Sequence, residues 1–304
     1  MQQYVIGIDI GGTNFRIGAV SQDGALQHFK KHSSSVLVTG NAVEALQEQI
    51  DLYLDACRIR GQVAAIAIGI PSIVSKDKKI IYSTPNLQGF DNLNLTDPLR
   101  EYFHVPVFVD RDVNFLLQND IKQLKLDPKS TILGFYIGTG FGNAVYIEGK
   151  FYTGKNGAAG ELGHIPMHGI TQTCSCGNVG CSEILCSGKH LEELAKEYYP
   201  NTDVPHVFKK HRNDPRLQKY VTDLAIPIAT EVNILDPDSI ILAGGVIFME
   251  EFPKEILLQA LSERLRKPYP AENLDIRFSE HTQQSGVQGS ADFAWQQISA
   301  HKLF

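Results

Sequence analysis

A chain of 304 residues, 43% hydrophobic and 20% charged, is long enough for two domains with ordinary cores or one large α/β unit. Its formal net charge of -6 argues against nucleic acid as the main partner, because phosphate backbones are met by a basic face. No run reaches the roughly 18 consecutive apolar residues of a membrane helix, and MQQYVIGIDI lacks the basic-then-apolar layout of a signal peptide, so no membrane association and a cytoplasmic location are expected.

In chain order, Tyr4–Ile10 reads as a strand, GGTN as a turn and Phe15–Val20 as a second strand. Asp23–Gly24 signals a turn, and ALQHFKK makes a third strand. From Asn41 the residues Val43, Leu46, Ile50, Tyr53, Leu54 and Cys57 recur at helical spacing, which makes Cys57 a core residue. Val63–Ile70 is apolar throughout, as in a parallel strand covered on both faces. Val105–Val109 is a short strand, with a helix starting beyond Asp112. The pattern then restarts: Thr131–Ile137 is a strand, GTGFGN a glycine turn and AVYIEG the return strand. Strand, glycine turn, strand thus occurs twice, a duplication of pattern without identity. Phe208–Arg216 is locally basic and reads as a solvated loop or helix face. Val221–Leu235 is helical, with Pro227 expected to kink it. SIILAGGV is a strand running into glycines, KEILLQALSERLR is helical, and SADFAWQQISA forms a C-terminal helix.

Three glycine elements stand out. Asp9 ends a strand ahead of Gly11, Gly12, Thr13 and Asn14; IGTGFGN supplies Gly138, Thr139, Gly140 and Gly142; Gly244–Gly245 follows a third strand. Glycines permit close approach and positive φ, and consecutive N–H groups then cradle phosphate oxygens. One such turn alone is a weak signal and reads first as a plain hairpin, whereas three suit a nucleotide held in a cleft between two related domains. TCSCGNVGCSE packs Cys174, Cys176 and Cys181 into eight residues. Three is an odd number, and disulfides are rare in a reducing compartment. Three thiolates and one imidazole make a tetrahedral structural zinc site; a reduced, metal-free loop is the alternative. His164 and His168 both precede the cysteines, and spacing does not choose between them. Cys186 lies outside the motif and reads as a core thiol.

The order of these motifs is similar to the actin-like ATPase, hexokinase and sugar-kinase fold. GAAGELGH followed by CSCGNVGCSE resembles the ROK family of bacterial sugar kinases and sugar-responsive repressors, and the likeness runs from DIGGT to SGVQGSA. The resemblance implies a two-domain α/β fold (ribonuclease H-like) with the active site in the interdomain cleft. The expected division is a small N-terminal domain over residues 1–115, a helix at about 291–304 packing back on it, and a larger domain over 116–290 carrying a zinc loop at 164–183. It selects His164 as the fourth zinc ligand. It further implies ATP and Mg²⁺ beside the structural Zn²⁺, a hexose phosphorylated at its 6-hydroxyl, and a homodimer.

Roles follow residue by residue. The zinc loop would bring Glu161, His164 and Glu183 to the hydroxyls of a sugar; taken alone, Glu183 would be a surface charge. The family's Asn-Asp-x-Asn stretch maps onto Arg111–Asp112–Val113–Asn114, making Asp112 the general base, or an N-cap, or both. Asp110 is expected to serve structure and Asp9 to orient the Mg²⁺ shell. Asn86 matches a sugar-side asparagine, or caps a turn. Two departures stand out: Arg111 where most ROK kinases carry Asn, and Ser72 where Gly usually follows Pro71. With PSIVSKDKKIIYSTPNL they resemble most the D-allose kinases of the family, leaving glucose, fructose and N-acylated hexosamine as alternatives. A non-catalytic sugar-sensing regulator would carry a DNA-binding module before DIGGT, and only eight residues precede Asp9. A chaperone-like or cytoskeletal ATPase has no use for the zinc loop.

Overall fold

The structure, a computed structural model, describes residues 2–38, 40–84 and 87–301. It divides into two compact units, neither of them contiguous: Met1–Leu126, Thr153–Ala159 and Thr282–Phe304 form the first, Asp127–Tyr152 and Gly160–His281 the second.

In the first unit, β1 (Tyr4–Ile10), β2 (Asn14–Ser21) and β3 (Leu26–Ser33) are successive antiparallel neighbours. Then come α1 (Ala42–Cys57), β4 (Val63–Ile70), a small sheet of β5 (Ile73–Val74), β6 (Ile80–Ser83) and β7 (Leu93–Asn94), α2 (Thr96–Phe103), β8 (Val107–Arg111) and α3 (Asp112–Gln123). The main sheet runs β3-β2-β1-β4-β8. Asn41 caps α1 by accepting the Val43 N–H at 2.9 Å. Strand alternation divides the core: Ile6, Ile8 and Ile10 cluster with Leu46, Ile50 and Leu99 of α1 and α2.

The second unit contains β9 (Ile132–Ile137), β10 (Phe141–Ile147), β11 (Lys150–Phe151), α4 (Glu183–Cys186), α5 (Gly188–Tyr198), α6 (Val207–His211), α7 (Pro215–Leu235), β12 (Ser239–Ala243), α8 (Lys254–Arg264) and β13 (Asp275–Ser279). Its sheet runs β11-β10-β9-β12-β13. The two sheets share one wiring: three antiparallel strands whose first member then pairs in parallel with the fourth strand, and the fourth with the fifth. The repeated sequence pattern is therefore a repeated topology. The last helix, α9 (Ser285–His301), returns to the first unit and packs on β1, β4 and α3. Val287, Ala291, Ala294 and Trp295 cluster there with Val5, Ala65 and Ala67. The approach is close enough that a Cβ on Gly7 would lie 2.2 Å from the Val287 carbonyl oxygen.

Several boundaries differ from the sequence reading. The first unit runs to Leu126 rather than 115, because α3 continues to Gln123. Residues 153–159 also belong to it, and the last helix starts at Ser285, not 291. The return strand begins at Phe141 rather than Ala144. Helix α7 begins at Pro215, with Pro227 inside an unbroken helical run. Proline has no N–H for the Asp223 carbonyl four residues back; the Cys186 thiol donates to that carbonyl instead, at 3.5 Å. Burial pushes the Cys186 thiol up, which keeps it a proton donor. In the basic stretch Phe208 is fully buried, Lys209 pairs with Glu250 at 2.6 Å, and Arg212 pairs with Glu255. Arg216 in turn pairs with Asp214 at 3.4 Å, so three of its cations are met by acids. Among the described residues no helix is long and apolar enough to cross a membrane.

Candidate active site and metal centre

The corner between β8 and α3 carries the sequence-predicted base. Arg111 is the N-cap of α3, but a guanidinium only donates, so no side chain of its own caps the helix. Its neighbours supply the acceptors. Asp112, the first helical residue and half-buried, accepts the Val113 N–H at 2.8 Å. Asp112 therefore helps close the helix start from inside it rather than from the cap position. Asp110 is buried, and its Oδ1 accepts three donors: Arg111 N–H and Lys78 Nζ at 2.8 Å and Asn114 Nδ2 at 2.9 Å. Arg111 is also buried, and its Nη1 donates to the Ala159 carbonyl at 2.7 Å. Ser72 is committed within the small sheet, donating to the Ile73 and Ser83 carbonyls. Asn86 lies outside the described residues.

In the first glycine turn the carbonyls face inward. Gly11 N–H donates to the Asn14 carbonyl at 2.8 Å, Ser34 N–H to that of Thr13 at 3.0 Å, and Ser34 Oγ to that of Gly11 at 2.5 Å. Gly12 and Thr13 are left exposed, and Asn14 opens β2. Asp9, at the end of β1, is held by Arg16 at 2.8 Å, and Arg16 is held in turn by Gln283 at 3.0 Å.

The second turn is pinned from behind. The Gly138 and Thr139 carbonyls accept the first amides of α5, from Gly188 at 2.7 Å and Lys189 at 3.0 Å, and Gly138 N–H donates to Gly140 at 3.1 Å. A helix N-terminus is thus satisfied by loop carbonyls. Gly142 lies within β10 opposite Tyr136, outside the turn. Gly244 packs against Ile137 with φ 101, where a Cβ would sit 2.4 Å from the Ile137 oxygen. Gly11, Gly138, Gly140 and Gly245, by contrast, lie outside the left-handed region. Gly138 and Gly245 offer space, since a Cβ on either would meet no atom within 4 Å, whereas one on Gly140 would lie 2.6 Å from Glu183 Oε2.

His164, Cys174, Cys176 and Cys181 converge, with their ligand atoms all within 4.8 Å of one another; His168 is not in the group. Cys174 Sγ stands 3.7 Å from His164 Nδ1 and Cys176 Sγ 3.6 Å from Cys181 Sγ, close to the ~3.8 Å edge of a tetrahedron with ~2.3 Å zinc–sulfur bonds. The set fits zinc in number, donor chemistry and spacing. Two isolated bridges, Pro166 with Cys181 and Thr173 with Val179, hold the loop as a narrow ribbon, and Gly177 and Gly180 turn it at φ 92 and 81. Burial pushes the Cys174 thiol up, but hydrogen bonding from Cys176, Cys181 and His164 more than offsets this and lowers it to about 7. Burial and the neighbouring thiols push Cys181 up to about 12.

The acids beside the cluster have definite partners. Glu161 stands 3.7 Å from His164 Nε2, the nitrogen turned away from the Cys174 thiol. Glu183, the first residue of α4, accepts the Phe141 N–H through Oε2 at 2.8 Å. One oxygen of the expected sugar ligand therefore ties the cysteine loop to the second glycine turn. Sequence reasoning missed Lys78, Ala159 and the start of α5. Ser187, which caps α5 by accepting the His190 N–H at 3.2 Å, was the available signal for the last of these.

The chain is similar to known proteins along nearly its whole length. The ROK family profile matches residues 5–297. A glucokinase of Thermotoga maritima is 26% identical, covering 97% of this chain and 98% of its own. An N-acetyl-D-glucosamine kinase of Escherichia coli is 26% identical over 94% and 97% of the two chains. The fold matches the crystal structure of a ROK family glucokinase from Streptomyces griseus in complex with glucose and AMPPNP, at a TM-score of 0.77, 23% identity, and coverage of 96% and 99%. With the shared two-sheet wiring, the glycine turns and the cysteine loop all inside the matched span, the chain belongs to the ROK family.

Proposed function

We propose that this chain is an ATP-dependent hexose kinase, with D-allose as its preferred sugar and Asp112 as its general base. The observation that carries the reading is the β8–α3 corner, which presents a half-buried carboxylate at a helix start while the neighbouring Asp110 is fully committed to structure. In the reaction the sugar's 6-hydroxyl oxygen attacks the γ-phosphorus of ATP, the new O–P bond forms as ADP departs, and the hydroxyl proton passes to a carboxylate oxygen of Asp112. In the second unit the open space at Gly138 and Gly245 suits phosphate oxygens, and in the first unit the exposed Gly12 and Thr13 offer the same chemistry. Mg²⁺ on the nucleotide would neutralise phosphate charge, and Asp9 would orient its shell. Glu161, His164 and Glu183 would bind sugar hydroxyls. Zinc on His164 and the three cysteines would fix that loop without joining the chemistry.

The names of the relatives support a hexose or hexosamine acceptor and make glucose and N-acetylglucosamine the alternatives. Arg111 supports allose: it stands beside the base where the family usually has Asn, and it reaches further and only donates. The test is ATP consumption with a panel of aldohexoses, ketohexoses and N-acetylhexosamines. Allose should show the highest kcat/KM. Arg111→Asn should narrow the preference over glucose by about 1–3 kcal/mol, the scale of a lost hydrogen bond to a charged group. A wild type that prefers glucose or N-acetylglucosamine removes allose and leaves the kinase. A preference for allose unchanged in Arg111→Asn leaves Arg111 as the structural partner of the Ala159 carbonyl. Sugar binding without phosphorylation would favour a sugar-sensing regulator.

A further inference from the structure

Lys78 occupies the turn between β5 and β6 with φ 61, a left-handed conformation in which a lysine is uncommon and a glycine is at ease. The backbone there is held from both sides: Lys78 N–H donates to the Ser75 carbonyl at 2.8 Å, and its own carbonyl accepts from Thr96 Oγ1 at 2.6 Å. The next residue, Lys79, turns to the half-exposed Asp97 on α2 at 3.0 Å. Lys78 instead sends its ammonium to Asp110, 32 residues away, at 2.8 Å. The Asp110 side chain is only 3% exposed. A buried carboxylate without a cation is strongly unfavourable, so the pair is the condition for having an acid at that point at all. The same oxygen that receives Lys78 also receives the Arg111 N–H and Asn114 Nδ2. Those two donors flank Asp112 in sequence, one at the helix cap and one on its first turn.

We propose that Lys78 is a positioning residue for phosphoryl transfer, its ion pair with Asp110 fixing the corner that aims Asp112. The role rests on the reading of Asp112 as the general base. Lys78 itself touches no reacting atom. Its contribution is to keep the Asp110 carboxylate turned toward Arg111 and Asn114, so that the start of α3 has one orientation. Displacing a reacting group by an ångström or less leaves ground-state binding nearly intact while lowering turnover, so the expected signature is in kcat and not in KM.

The experiment compares full-length wild type, Lys78→Met, Lys78→Gly, Lys78→Arg and the double variant Lys78→Met/Asp110→Asn, measuring kcat, KM for sugar and for ATP, and Tm. Lys78→Met and Lys78→Gly should each lose about 10–100-fold in kcat with both KM values within about threefold of wild type. Lys78→Arg should recover most of the loss by restoring the cation. The double variant should recover part of it, because an Asn at 110 still offers an oxygen to Arg111 and Asn114 and strands no charge. Lys78→Gly guards against simple misfolding, since glycine suits the φ of 61 that Met must tolerate. A wild-type kcat in both Lys78→Met and Lys78→Gly overturns the role. So does a kcat loss that follows Tm in every variant with no recovery by Arg, which would make Lys78 a stabilising residue only. A wild type that phosphorylates no hexose overturns the kinase reading itself, and the Lys78 role with it.

Discussion

Replacing Asp112 with Asn should lower kcat by roughly 10²–10⁴-fold while sugar and ATP still bind, the usual scale for loss of a general base. The substitution isolates proton acceptance unusually well here. Asn keeps the shape of Asp and an amide oxygen, so it can still accept the Val113 N–H that Asp112 accepts at 2.8 Å. Arg111, Asn114 and Lys78 lean on Asp110, which is untouched. The helix start should therefore survive, with Tm within a degree or two of wild type and sugar affinity by calorimetry little changed. A mutant of near-normal turnover would remove Asp112 from the mechanism. One that loses turnover together with Tm and sugar binding would show that the carboxylate serves the fold.

The second large effect concerns the metal. Purified protein should carry about one zinc per chain, and Cys176→Ser should lose it. Cys176 is the exposed member of the set, so the substitution itself disturbs little packing. Metal loss should lower Tm by roughly 5–10 °C: a ligand at about a hundredfold over its Kd contributes ~2.7 kcal/mol, and each kcal/mol is worth ~2–4 °C in a chain of this size. The kinetic consequence should reach further than the sugar. Glu183 follows the last cysteine by two residues and holds the Phe141 N–H at the edge of the second glycine turn, so KM should rise for ATP as well as for the hexose. A zinc-free variant with an unchanged ATP KM would sever that link, and one with unchanged sugar affinity would end the stapling argument.

The parts of the molecule legible in its sequence are those whose information is local. Val63–Ile70 is a buried parallel strand because every side chain is apolar, and α1 follows the helical spacing of Val43, Leu46, Ile50 and Leu54. The cysteine cluster lies within one loop, so its chemistry could be read directly, although the choice of His164 over His168 needed the family likeness. The small sheet escaped notice because β5 and β7 are two residues each, too short for any alternation to register. Gly142 was miscounted into its turn because the glycine pattern runs on into β10. The partners of the candidate site were invisible for another reason. Lys78 and Asp110 are 32 residues apart, and Arg111 and Ala159 48 apart; no periodicity connects them, and only the folded chain brings them together.

The return of α9 has a bearing on how the protein comes off the ribosome. The first sheet gains its last strand at Arg111, yet the face made by Val5, Ala65 and Ala67 packs against Val287, Ala291, Ala294 and Trp295, which lie some 170 residues or more further along the chain. At about 5–20 residues per second, that face waits roughly ten to forty seconds for its cover. Its small side chains suit the wait, since alanine and glycine expose little apolar surface compared with the isoleucines on the opposite face, which meet α1 and α2 as soon as those helices emerge. A fragment of residues 1–126 should accordingly bind a hydrophobic dye, and a peptide of residues 282–304 added in trans should displace it. A dye-free, monomeric fragment would mean that the nascent sheet needs no such partner, and that α9 joins an already finished fold.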